Sequence, residues 1–283
     1  MTALRTISAS KITETIARLC ISANIDADEG IRNAICRART TETSVPAAGA
    51  LDMIIENMQV AKDEKMPLCQ DTGMVIVFVE IGQGVFVEGS LEAAIHEGVR
   101  QGYRDGYFRA SVVRDPIFRE NTRDNTPAII HYSIVSGSSM KITVMPKGFG
   151  SENKSALKML NPSDGADGVE KFVLDTVRVA GSSPCPPIVV GIGVGGTMEK
   201  AALLSKQALL QDMLEQNTDE YWANFERSLL RKINELCIGA SGFKGTTTAL
   251  GVRILTFPTH IAGLPVAVNI GCHVSRHKTA VIL

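Results

Sequence analysis

Aromatic side chains are scarce in this chain. Phenylalanine, tyrosine and tryptophan make up 5% of its 283 residues, with a single tryptophan, so the core has to be built from aliphatic and small side chains. An excess of one charge is also lacking: 29 Lys and Arg nearly cancel 30 Asp and Glu, for a net of −1. No long-range field then attracts polyanions, and nucleic-acid binding is not expected. No apolar run approaches the roughly 18 residues that would read as a membrane span. The first residues carry Arg5 and Lys11 without an apolar signal segment behind them, so a cytoplasmic chain with no membrane association is expected. Six cysteines are too few for a disulfide scaffold and should be reduced thiols. No repeat, low-complexity tract or Pro/Gly/Ser linker cuts the sequence. With 45% hydrophobic and 21% charged residues, the composition excludes disorder and gives one compact domain over 1–283.

The first third reads as helix, with Ser10 as N-cap and Ile12, Ile16, Leu19 and Cys20 at helical spacing. A second helix is expected over Glu29 to Thr40, and a third opens near Pro46 and stops before Pro67. Met74 to Glu80 is a β-branched run too short for a free helix and reads as a buried strand. Helix returns from Glu88 to Gly106, and Ala128 to Val135 and Met140 to Met145 read as a hairpin around Ser136-Gly-Ser-Ser139. Helices over 169–179, 197–211 and 221–236 and strands over 248–256 and 265–270 complete the pattern. Because the strands do not alternate strictly with helices, the expected class is α+β, with helices flanking a mixed or antiparallel sheet.

Three loops join a cysteine to turn-forming neighbours: Leu68-Cys69-Gln70-Asp71-Thr72-Gly73, Ser183-Pro184-Cys185-Pro186-Pro187 and Ile270-Gly271-Cys272-His273. A lone cysteine is more often a small buried hydrophobe than a ligand, and that bland reading is adopted for Cys20, Cys36 and Cys237. Prolines on both sides of Cys185 remove backbone freedom and donors, which packing alone does not explain. The three cysteines lie too far apart for a ferredoxin or zinc-finger spacing, so spacing does not identify a metal. If three thiolates met on a four-iron cluster, one iron would keep an open Lewis-acid position. Asp71 would then carry a proton-transferring carboxylate on the same loop as a ligand; its ordinary alternative is an Asx-turn acid ahead of Gly73.

Arg109 could grip a carboxylate through its guanidinium fork, or be a solvated surface residue. The glycines of Lys147-Gly-Phe-Gly-Ser-Glu-Asn-Lys154 permit close backbone approach to a ligand. Gly191 to Thr197 reads G-x-G-x-G-G between a strand and a helix, a poor match to the G-x-G-x-x-G dinucleotide fingerprint, with no acidic residue at the end of a second strand about 20 positions on. His273 adjoins Cys272 and could orient the site, whereas His96 and His131 have no paired ligand spacing.

Taken in order, Cys69-Gln-Asp-Thr-Gly73, Asn121-Thr-Arg-Asp-Asn-Thr-Pro127, the 147–154 stretch, Ser183-Pro-Cys-Pro-Pro187 and Gly271-Cys-His273 resemble class I, iron-sulfur fumarate hydratases over nearly the whole chain. The likeness is to the alpha subunit of the two-subunit form. The related L-tartrate dehydratase alpha subunit shares most of the pattern. The resemblance implies a hydro-lyase of the tricarboxylic acid cycle that interconverts (S)-malate and fumarate. It implies that Cys69, Cys185 and Cys272 ligate a 4Fe-4S cluster with one open iron, that Asp71 protonates the departing hydroxyl, and that Gln70, Arg109 and a loop glycine contact the dicarboxylate. Gly150 is the glycine expected, with Gly148 as the other register. It further implies a separate beta subunit that completes the active site in an alpha2beta2 heteromer. L-Tartrate dehydration, a non-catalytic iron-sulfur sensor and a cluster-free structural protein are the competing readings.

Overall fold

The computed structural model describes residues 4–213 and 215–283. Its backbone contacts separate into two compact units, each assembled from discontinuous stretches. The first comprises Met1–Asp28, Met58–Phe149 and Arg276–Leu283, and the second Glu29–Asn57 and Gly150–Ser275. Both combine helices with a mixed sheet, as the sequence predicts.

The sheet of the first unit contains β2 (Met74–Gly82), β4 (Ile129–Val135), β5 (Met140–Lys147) and β10 (Lys278–Ile282), in the order β10-β5-β2-β4. A short parallel pair, β1 (Arg5–Ser8) and β3 (Val85–Glu88), stands apart. Helices α1 (Ala9–Ile25) and α4 (Leu91–Asp105) supply Ile12, Ile16, Leu19, Ile95 and Val99 to a core shared with Val75, Val77 and Val79 of β2. The spacing of those helical residues builds one apolar face on each helix. The N-cap of α1 is Ser8, whose hydroxyl accepts the Lys11 N–H at 3.3 Å, two residues before the expected Ser10.

The expected hairpin is corrected by the topology. β4 and β5 do not pair with each other: β2 lies between them, parallel to β4 and antiparallel to β5. The Ser136 to Ser139 turn instead arches over the end of β2, where Gly82 N–H donates to Ser139 C=O at 2.9 Å and Gly84 N–H to Gly137 C=O at 2.8 Å. Turn chemistry marked the reversal of direction, but not which strand would fill the gap.

The second unit holds α2 (Glu29–Thr41) and most of α3 (Val45–Asp63), and it resumes within the single turn α5 (Phe149–Glu152). Its sheet is formed by β6 (Ala156–Leu160), β7 (Ile188–Gly195), β8 (Ala249–Phe257) and β9 (Leu264–Gly271), ordered β6-β9-β7-β8. Alternation along β7 decides how helices cover it. Ile188, Val190, Ile192 and Val194 pack with Val169, Val173 and Val177 of α6 (Gly165–Ala180) and with Leu229 and Ile233 of α8 (Glu220–Asn234). Gly191 and Gly193 point the other way, toward α7 (Met198–Ala208). A Cβ there would stand 2.2 Å from Ser205 O and 2.1 Å from Ala201 O. Helix-on-strand approach thus explains Gly191 and Gly193, whereas Gly195, at φ of +92°, meets the Phe257 backbone at the end of β8 and Gly196 takes φ of +70°. Among the described residues no helix is long and apolar enough to cross a membrane.

Candidate active site

In the first unit, the loop between α3 and β2 carries Cys69 (half-buried), Gln70 (exposed) and Asp71 (half-buried), followed by buried Thr72 and Gly73. Gly73 has φ of +78°, and a Cβ on it would lie 2.8 Å from the Lys147 backbone, so this position admits only glycine. The chain reverses there and delivers Asp71 beside the end of β5. One carboxylate oxygen of Asp71 accepts the Gly73 N–H at 3.0 Å, while the other accepts the Phe149 N–H at 2.8 Å. The Asx turn therefore exists, but it occupies only one oxygen. Arg276 donates to the Asp71 backbone carbonyl at 2.6 Å.

A buried network holds this loop from behind. The Tyr103 hydroxyl donates to the carbonyls of Thr72 at 2.5 Å and Gly73 at 3.2 Å. Burial drives the Tyr103 phenol well above its ordinary ionisation range, so it remains a donor. The Thr72 hydroxyl donates to the Arg109 carbonyl at 2.9 Å. The Arg109 side chain is exposed. Of the loop glycines, Gly148 is the one beside Asp71: a Cβ on it would stand 3.1 Å from Asp71 Oδ2. Gly150 belongs to the second unit and is exposed, and the nearest atom to a Cβ there is Ser183 O at 3.9 Å.

In the second unit, Cys185 is exposed at φ of +55°. Its N–H donates to Ser182 C=O at 3.1 Å, and Ser241 N–H donates to Pro186 C=O at 2.7 Å, so both flanks of the turn are pinned. His273 Nδ1 lies 2.8 Å from Cys185 O. A carbonyl can only accept, so Nδ1 carries the proton. This bond ties the Cys272 loop to the Cys185 turn. Cys272 itself is half-buried.

The remaining cysteines divide. Cys20 is enclosed in the core, where burial pushes its thiol up, and Cys36 is half-buried. Cys237 departs from the buried place expected of it: it is exposed, beyond the end of α8 at φ of +50°. His96 accepts the Ala128 N–H at 3.3 Å and His131 stacks on Phe78 at 5.1 Å, which accounts for both structurally. Among the described residues, no group of three or more His, Cys, Asp or Glu side chains is drawn together as a metal site.

Sequence reasoning missed Tyr103, Arg276 and Asn125. Tyr103 and Arg276 touch backbone atoms of the Asp71 loop from distant positions, with no local pattern to announce them. Asn125 lies inside the Asn121 to Pro127 motif, where residue type alone gives it no role.

The family model described as Fumarate hydratase (Fumerase) matches residues 13–281, and the chain belongs to that family. It is 43% identical over 273 residues to a protein of Methanocaldococcus jannaschii named putative L(+)-tartrate dehydratase subunit alpha, covering 94% of this chain and 95% of that one. The L(+)-tartrate dehydratase subunit alpha of Escherichia coli O157:H7 is 29% identical over 278 residues, with 96% and 91% covered. Both names denote hydro-lyases, and the chain is an enzyme subunit of that class.

Proposed function

We propose that this chain is the alpha subunit of a 4Fe-4S-dependent hydro-lyase that removes water from a four-carbon 2-hydroxydicarboxylate, with (S)-malate and fumarate as the leading pair. The observation that carries the reading is that Asp71, on the loop that also bears Cys69, has both carboxylate oxygens held by backbone N–H groups, one from Gly73 of that loop and one from Phe149 beyond β5.

The donor set suits the cluster. Cys69, Cys185 and Cys272 are all at least partly exposed, and none is joined in a disulfide. They would hold it, and the bound group supplies a Lewis acid at the iron lacking a protein ligand. Asp71, when protonated, gives its proton to the departing C2 oxygen. Arg109 grips one substrate carboxylate through its guanidinium fork and fixes the sense of elimination, and Gln70 is a further substrate contact. Gly148 keeps side-chain bulk away from Asp71, and Gly150 is the second glycine available to meet substrate through its backbone. A base from a beta subunit takes the C3 proton, in an alpha2beta2 assembly. A cytoplasmic enzyme fits this chemistry.

L-Tartrate is the second reading, favoured by the names of the relatives at 43% and 29% identity. The test is anaerobic assay of the co-expressed alpha and beta chains on both substrates. Turnover of malate supports the first reading and turnover of tartrate alone the second. Turnover of neither contradicts the proposal, as would full activity of the alpha chain by itself.

A further inference from the structure

Asn125 has no part in the chemistry just described, yet it is fully enclosed, at 0% exposure, and adopts φ of +58°. Asparagine is among the few residues with a side chain that tolerate this backbone region. Both ends of its amide are used. Nδ2 donates to the Gly73 carbonyl at 3.1 Å, and Oδ1 accepts the Ser111 N–H at 2.8 Å. A carbonyl can only accept and an N–H can only donate, so the amide orientation is fixed by its partners. Gly73 donates to the Asp71 carboxylate, and Ser111 follows Arg109 by two residues. One buried side chain thus spans the loop of the proposed proton donor and the loop of the proposed carboxylate clamp.

The rest of the Asn121 to Pro127 motif acts as a splint along the second loop. Asn121 donates to the Ala110 carbonyl at 3.0 Å, and Thr122 N–H donates to the Val112 carbonyl at 2.9 Å. The Asp124 carboxylate accepts the Thr126 hydroxyl at 2.8 Å and Arg100 Nε at 3.0 Å, which fixes the turn that presents Asn125. The Thr72 hydroxyl bond to Arg109 C=O, at 2.9 Å, is a second strut between the same loops.

We infer that Asn125 is a positioning residue that holds the Arg109 loop against the Asp71 loop, and so sets where the clamped carboxylate sits relative to the hydroxyl that Asp71 serves; the inference rests on the hydro-lyase reading. Aspartate at 125 would keep the acceptor but oppose a carboxylate to the Gly73 carbonyl. Glycine would suit the backbone angle but leave Gly73 C=O and Ser111 N–H without their strut. A misplacement of about 1 Å in a site of this kind costs on the order of 100-fold.

The experiment uses the iron-loaded complex of both subunits. Succinate, a dicarboxylate that lacks the C2 hydroxyl and therefore reads the Arg109 clamp without turnover, is titrated by calorimetry into wild type, Asn125→Gly, Thr72→Val, Arg109→Ala and the Asn125→Gly/Arg109→Ala double variant. Iron content, melting temperature, kcat and KM are recorded alongside. The expected result is a succinate Kd and a KM raised roughly tenfold or more by Asn125→Gly, with iron content unchanged. Thr72→Val, which preserves side-chain shape, should shift Kd the same way and stands in if Asn125→Gly does not fold. In the Arg109→Ala background, the Asn125 change should add less than about twofold, because it acts through that arginine. Equal fold-losses in both backgrounds, or loss of iron and melting temperature with no change in Kd, would overturn the inference. A wild-type complex that binds succinate but dehydrates neither malate nor tartrate would remove the hydro-lyase reading while leaving the Kd comparison to decide the role of Asn125. A wild type that does not bind succinate overturns both.

Discussion

The Phe149 N–H donates to Asp71 Oδ2 at 2.8 Å, across 78 residues of sequence. It makes the end of β5 part of the Asp71 site. Gly148, immediately before Phe149, leaves room for this contact, since a Cβ there would come within 3.1 Å of the same oxygen. The first prediction concerns that carboxylate. Asp71→Asn retains an acceptor oxygen but cannot deliver an acidic proton. It should lower kcat of the two-subunit complex by roughly 100- to 10,000-fold with iron content unchanged. Steady-state kinetics beside an iron count checks this, and a loss smaller than about tenfold would remove Asp71 from the proton-donor role.

Gly148→Ala should also impair turnover, because the added methyl meets the Asp71 carboxylate. Gly150→Ala has open space around it, with Ser183 O no nearer than 3.9 Å to the new carbon, and should be milder. Comparing kcat/KM for the two variants reads which glycine lies at the reacting end of the loop. The reverse order would support the Gly150 register.

Stability of the second unit should depend on Glu226, a carboxylate only 6% exposed in the core. It accepts the Ile254 N–H at 2.7 Å and Asn217 Nδ2 at 3.0 Å, and pairs with buried Arg253 at 3.3 Å. Removing one partner strands the other charge, so Glu226→Ala should cost about 3–5 kcal/mol of unfolding free energy. Denaturant titration measures it. The double replacement of Glu226 and Arg253 by apolar residues should recover part of the loss.

Acid should loosen the contact between the loop before α3 and the loop before β8. Burial opposes ionisation of Glu42, but the N–H groups of Ser44 and Thr246, the Thr246 hydroxyl and the Thr247 N–H outweigh it and hold its carboxyl below the ordinary glutamate range. A carboxyl whose folded pKa is depressed stabilises the fold above its unfolded value and loses that contribution as pH falls through the folded one. Melting temperature should therefore fall below about pH 4, and less steeply in Glu42→Gln. Identical acid slopes for the two proteins would contradict this. Asp124, brought to about 2 against the opposing effect of burial by Thr126 and Arg100, should add a further acid-side loss in the first unit.

Local patterns carried much of the fold into the sequence. Ile12, Ile16 and Leu19 marked α1, and the β-branched run from Met74 marked β2, because each pattern is set by the element's own periodicity. The partners of those elements were not legible. The four-residue β1, the five-residue β6 and the terminal β10 owe their strand character to pairing with distant segments, and β2 enters between β4 and β5 from elsewhere in the chain. The site divided along the same line. Cys69, Asp71 and Cys185 stood out by their immediate neighbours, whereas Tyr103, Asn125 and Arg276 act on backbone atoms far from them in sequence. The G-x-G-x-G-G run looked like ligand chemistry in outline, yet Gly191 and Gly193 make room for α7 and Gly195 for the β8 backbone, since residue type alone does not say what approaches a glycine.

The proposed chemistry requires Cys69, Cys185 and Cys272 to serve one cluster. The decisive measurement is the iron and sulfide content, with the EPR spectrum, of the anaerobically reconstituted alpha-beta complex in wild type and in Cys185→Ala. About four irons per alpha chain, with loss of iron and of signal on the substitution, is the predicted result. A colourless wild-type complex, or an iron content indifferent to Cys185, would contradict it.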